Sequence, residues 1–113
     1  MSLDGILIEV GCSEEPAALH LRLQEFARDL AEQRFPEWGV QIAPAGDGVL
    51  SLAGGRDGTR FEADVHPQPG RVVVSLRGRI ELAWMKLTLA GGPEGVRRRV
   101  SDEVRKALAS HLE

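Results

Sequence analysis

The sequence predicts an α+β fold, with two amphipathic helices packed on one face of an antiparallel sheet in the order β-α-β-β-β-α. Three observations carry this expectation. Apolar residues recur at steps of three and four in two segments, one near each end of the chain. Between them, apolar and polar residues alternate strictly, which is the pattern of strands with one buried face. Clusters of Gly and Pro separate the alternating runs. A sheet that is polar on one side is characteristically antiparallel.

Ile6, Ile8 and Val10 alternate with Leu7 and Glu9, giving a short first strand that ends at Gly11. Ser13 stands where a helix N-cap belongs, Glu14 and Glu15 complement the positive end of the helix dipole, and Pro16 is tolerated in the first turn. The helix is expected to run to Phe35, where Pro36 stops it. Leu19, Leu23, Phe26, Ala27 and Leu30 form its buried stripe, opposite Arg22, Glu25, Asp29, Glu32 and Gln33.

The next expected strand spans Val40 to Ala53, broken at Pro44 and by the turn residues Gly46-Asp47-Gly48. Gly54 to Gly58 makes a second turn. In the clearest strand Phe61, Ala63 and Val65 point one way, and Arg60, Glu62, Asp64 and His66 the other. A four-residue connection, Pro67 to Gly70, then places Asp64 opposite Val73 and Glu62 opposite Ser75, with Arg77 diagonal to Glu62. The following strand alternates Val72, Val74, Leu76, Gly78, Ile80 and Leu82 against Arg71, Val73, Ser75, Arg77, Arg79 and Glu81. Pro93 opens the last helix, whose stripe is Val96, Val100, Val104, Ala107, Leu108 and Leu112.

A chain of 113 residues, 42% hydrophobic and 27% charged, reads as a single globular domain over residues 1–113. The net charge of -3 weighs against a dedicated nucleic-acid binder, since phosphate neutralisation drives that affinity. The one cysteine, Cys12, cannot form an internal disulfide, and no signal-peptide pattern precedes it, so a cytoplasmic location is expected. The longest apolar stretch, Leu82 to Ala90, contains Lys86 and is far shorter than the ~20 residues of a membrane span.

Chemistry-bearing residues are few. His20, His66 and His111 have no second ligand at helical spacing, and Cys12 has no Cys-x-x-Cys partner, so neither metal nor cofactor is expected. A Cys12–His20 dyad is conceivable, although catalytic dyads do not follow from sequence proximity. The glycines form neither a dinucleotide fingerprint nor a phosphate loop, and Gly91-Gly92 with Arg97 and Arg98 offers only a weak anion signal. Arg97-Arg98-Arg99 fans around a helix at about 100° per residue. Glu94 with Arg98, Asp102 with Lys106, and Arg99 with Glu103 have the spacing of local ion pairs, so a solvated helix face is expected. No catalytic residues are assigned.

One segment resists this account. Leu82, Ala83, Trp84, Met85, Leu87 and Leu89 follow one another too densely for a half-buried strand, which cannot hide residues on both faces. Three readings stand: the segment closes the core, a second copy of the chain covers it, or it meets a separate apolar partner. Leu82, Trp84, Met85, Leu87 and Leu89 are the candidate apolar contact.

The run from Arg71 to Leu87 (RVVVSLRGRIELAWMKL), with a last helix ending Ala109-Ser110-His111-Leu112, resembles the polyhydroxyalkanoic acid system family of small bacterial proteins. The first strand, followed by Ser13 to Ala17 opening an amphipathic helix, is similar in outline. The resemblance implies a non-catalytic intracellular accessory protein near an apolar polyester granule surface. It implies no catalytic residues. The element order is also similar to that of ribosome-hibernation factors, and the part after the first strand to double-stranded RNA-binding domains, which keeps an RNA- or ribosome-associated domain as the alternative. A small hydrolase- or cyclase-like enzyme comes third.

Overall fold

In the computed structural model, residues 1–46, 48–81 and 91–112 are described. Strands β1 (Ile6–Gly11), β2 (Gln41–Pro44), β3 (Leu50–Arg56), β4 (Thr59–Gln68) and β5 (Arg71–Arg79) form one sheet. Its order is β1-β5-β4-β3-β2, and every neighbouring pair is antiparallel. Helices α1 (His20–Asp29) and α2 (Gly92–Leu112) cover one face. The expected α+β architecture is therefore present, with five strands where the sequence order counted four.

The added strand comes from the segment expected as one interrupted strand. The Ala45 N–H donates to the Val49 carbonyl at 2.9 Å, and the Val49 N–H to the Gly46 carbonyl at 2.8 Å. Gly46 and Gly48 take φ of +90° and +79°, the left-handed region in which glycine avoids a Cβ clash. The chain reverses there, so β2 and β3 become a hairpin.

A second correction concerns register. The β4–β5 connection is a two-residue turn, Pro69-Gly70, with Gly70 at φ +80° and Gln68 paired to Arg71. Asp64 consequently faces Ser75, and Glu62 faces Arg77. The shift is of two residues, so each side chain keeps its expected face of the sheet.

The first helix also departs from expectation at both ends. Ser13 does not cap it. Pro16–Leu19 forms a 3-10 turn whose preceding residue, Glu15, makes no side-chain cap, while the Glu14 N–H donates to Cys12 Sγ at 3.4 Å. After α1 the helix widens over Leu30–Arg34, where the Phe35 N–H reaches the Leu30 carbonyl at 2.9 Å in an i-to-i−5 bond. Pro36 does not simply stop the chain but opens another 3-10 turn, Pro36–Trp38. Proline suits such a first position because its missing N–H would have no partner there.

Both expected helical stripes face the sheet. Leu19, Leu23, Phe26, Ala27 and Leu30 from the first helical segment join Val96, Val100, Val104, Ala107 and Leu108 from α2. They pack on Ile6, Ile8, Leu52, Phe61, Ala63, Val65, Val72, Val74 and Leu76 as one core. Removal of this apolar area from water is the main favourable term in folding. On the opposite face, alternation leaves Arg60, Glu62, Asp64, His66 and Arg77, with Leu7 exposed and Val73 buried between Glu9 and His66.

Two features close the β1 side of the sheet. Residues preceding β1, unassigned in the sequence, extend the pairing along β5: the Leu3 N–H donates to the Gly78 carbonyl, and the Ile80 N–H to the Met1 carbonyl, each at 2.9 Å. The Leu3 side chain is fully buried. Along the free edge, Arg97 of α2 donates to the Ser2 and Asp4 carbonyls at 2.7 and 3.3 Å, and Arg105 to the Glu9 carbonyl at 3.3 Å. Side chains that occupy edge carbonyls leave less of a template for another strand. The β2 edge is protected differently, being only four residues long and ending in Pro44.

Candidate contact site

Leu82, Trp84, Met85, Leu87 and Leu89, the apolar contact residues singled out from the sequence, lie outside the described residues. The chain leaves the described fold after Glu81 and re-enters it at Gly91. Next to the first of these points, at Ile80, lies a cleft of about 530 Å³.

One wall is the α1–β2 connection, where the widened helical end and the Pro36 turn present Arg34, Phe35, Glu37 and Trp38. The other is the first half of α2, with Val96, Arg99, Val100 and Glu103. Ile80, just past β5, supplies the floor. The Phe35 and Trp38 rings stack at 5.0 Å with an interplanar angle of 6°, and both lie 5.3 Å from the buried Phe61 ring. Such stacking fixes the wall beyond what area burial alone provides. The sequence places Phe35 at a helix end and gives Trp38 no period to follow; the signal for this wall is the pair of aromatic residues flanking Pro36.

Charge is arranged around this apolar interior. Arg34 Nη1 lies 2.7 Å from Glu103 Oε2, joining the two walls, and Arg34 Nε lies 3.7 Å from Asp29. Glu103 therefore takes Arg34 in place of the expected Arg99. Glu37 and Arg99 are both exposed, and neither has a salt-bridge partner among the described residues. The expected pairs Glu94–Arg98 and Asp102–Lys106 are likewise not formed. Arginine side chains instead spread across the molecule: Arg97 and Arg105 serve backbone carbonyls, while Arg71, Arg77 and Arg79 pair with Glu9, Glu62 and Glu81.

The remaining candidates do not converge. Cys12 accepts the Glu14 N–H, whereas His20 is exposed and contacts Gln24 at 3.0 Å, so the conceivable dyad has separate partners. His111 Nε2 lies 3.3 Å from Asp29 and meets the Phe26 ring edge-on at 6.4 Å, tying α2 to α1. On the outer sheet face, Ser51 donates to Asp64 at 2.6 Å, and Arg77 bridges Asp64 and Glu62. The Ser51 hydrogen bond leads the causes that hold the Asp64 carboxyl below its ordinary range; desolvation opposes it and Arg77 assists. Among the described residues no group of three His, Cys, Asp or Glu side chains is placed to hold a metal ion. No described helix is long and apolar enough to cross a membrane.

Compared with known proteins, the chain matches no family model, no curated protein and no solved structure. The fold and the cleft thus define the class: an α+β domain with an apolar, charge-rimmed groove at one end of its sheet.

Proposed function

We propose that the protein is a non-catalytic intracellular binding module, acting by contact through the apolar end of its fold, and that its partner is the aliphatic surface of a polyester storage granule. The observation that carries this reading is the cleft between the Phe35–Trp38 stack and Val96, Ile80 and Val100. Its volume falls within the range of about 300–1,000 Å³ usual for binding sites, and its interior is aliphatic and aromatic. Ile80, which lines the groove, stands two positions before Leu82, where the densest apolar composition of the chain begins. The resemblance of Arg71 to Leu87 to granule-associated proteins supports the choice of partner.

The RNA alternative has less support. A nucleic-acid footprint needs cations free to neutralise phosphates on one face. Here Arg71, Arg77 and Arg79 pair with carboxylates and Arg97 and Arg105 engage backbone carbonyls, while Arg99, which has no such partner among the described residues, shares the cleft with Glu37.

Retention on polyhydroxybutyrate particles tests the reading, comparing the parent with Trp38→Ser and with Trp84→Ser/Leu87→Ser. Loss of large apolar contacts should weaken retention roughly tenfold or more. Circular dichroism verifies that each variant folds. If both folded variants bind as the parent does, the polyester reading is wrong.

A further inference from the structure

The charges around the cleft carry a second conclusion, which rests on the contact end proposed above. Arg34 on one wall and Glu103 on the other neutralise each other across the groove at 2.7 Å. That leaves Glu37 on the wall that carries Trp38 and Arg99 on the wall that carries Val96 and Val100. Both are exposed, and among the described residues neither has a salt-bridge partner. The groove is therefore apolar in its middle, negative on one lip and positive on the other.

A two-fold interface uses the same patch twice, so the patch must complement itself. Opposite charges on opposite lips meet this condition when the two-fold axis runs along the groove, because that rotation carries each lip onto the other. A partner of single sign would satisfy one lip and repel the other. We infer that in free solution a second copy of this chain covers the cleft, with Glu37 of each copy meeting Arg99 of the partner subunit.

The arrangement has the usual anatomy of an interface, an apolar centre around Trp38, Val96 and Val100 within a charged rim. It also gives the contact end a regulation. The pair hides the groove that a polyester surface would use, so self-association and surface binding exclude each other.

Charge reversal tests this without touching the core. Glu37→Arg places two arginines at each contact of its own dimer, and Arg99→Glu places two glutamates there. An equimolar mixture of the two variants restores opposite charges at both contacts. Light scattering after size exclusion at low ionic strength should give the parent twice the chain mass. Each variant alone should pair about tenfold more weakly, and the mixture should return to the paired mass. A parent that remains single at high concentration overturns the inference, as does a mixture no better paired than its components. Particle retention separates this inference from the reading beneath it. If mixing fails while the parent still binds polyester, only the pairing falls. If pairing succeeds while binding fails, the polyester partner falls and the pairing stands.

Discussion

Ser51 donates its hydroxyl to Asp64 Oδ1 at 2.6 Å, from β3 to the residue paired with it on β4. Arg77 of β5 reaches the other carboxylate oxygen and also holds Glu62 through Nε at 2.9 Å. One carboxylate thereby fastens three adjacent strands on the open face of the sheet. Opposed charges and hydroxyl–carboxylate contacts of this kind stabilise neighbouring strands modestly and help fix their register.

This contact predicts a pH dependence. The Asp64 carboxyl is held below the usual carboxylate range, first by the Ser51 hydrogen bond, against desolvation and with help from Arg77. A depressed folded-state pKa contributes stability that is complete above the unfolded value of about 3.9 and is lost as pH falls through the folded value. Ser51→Ala should move the Asp64 titration upward. The stability difference between variant and parent should then be larger at pH 6 than at pH 2. Carboxyl-carbon NMR titration and thermal melts at the two pH values measure both effects. An unmoved Asp64 titration would contradict the assignment.

Two glycines predict unequal costs. Gly78 sits in β5 at φ +122°, where a Cβ would lie 2.0 Å from the Arg60 carbonyl oxygen, a backbone atom that cannot swing aside. Gly70 has φ +80° with nothing within 4 Å of a Cβ. Gly70→Ala should cost about 1–2 kcal/mol, the penalty of a left-handed backbone alone. Gly78→Ala should exceed this, by more than about 2 kcal/mol, because steric displacement of β4 adds to it. Urea unfolding of both variants compares them directly, and equal losses would refute the distinction.

The arginines on α2 predict an effect on association more than on stability. Arg97→Ala and Arg105→Ala uncover carbonyls of Ser2, Asp4 and Glu9 along the edge of the sheet. These contacts are exposed, so each loss should cost under about 1 kcal/mol. The double variant should nevertheless aggregate faster on mild heating, since its edge can template another strand. Turbidity at matched fractions folded checks this; identical aggregation would remove the protective role.

The local elements were legible where a side-chain period repeats. Leu19 to Leu30 and Val96 to Leu108 announce helices with one buried face, and Phe61 to Val65 and Val72 to Leu76 announce strands, because burial on one side imposes a spacing. Elements without a repeat were not legible. Met1 and Leu3 are only two apolar positions, too few to establish a period, so the pairing of Met1–Leu3 with β5 left no pattern to read. The β4–β5 register was missed by two positions because Pro67 and Gln68 belong to the strand, and only Pro69-Gly70 turns.

The contact site shows the same division. Its apolar character could be suspected from Leu82 to Leu89, which lie outside the described residues. The cleft itself joins Phe35 and Trp38 to Ile80 and Val100 across distant parts of the chain. The arginine triplet gave the opposite lesson: local spacing promised Arg99–Glu103, but Glu103 lies closer to Arg34 on the facing helical end. Arg34 is half-buried whereas Arg99 is exposed, so water screens the pair between the two walls less than it would screen the i+4 alternative.

Sequence by itself determined which residues of the two helical stripes face the core and that two helices cover a one-sided sheet, since those follow from period and chain order. Tertiary structure alone decided strand register, the use of Arg97 and Arg105 on a sheet edge, and the lining of the cleft. Each of those depends on contacts between residues far apart in the chain, and no local pattern encodes which distant partner a side chain will reach.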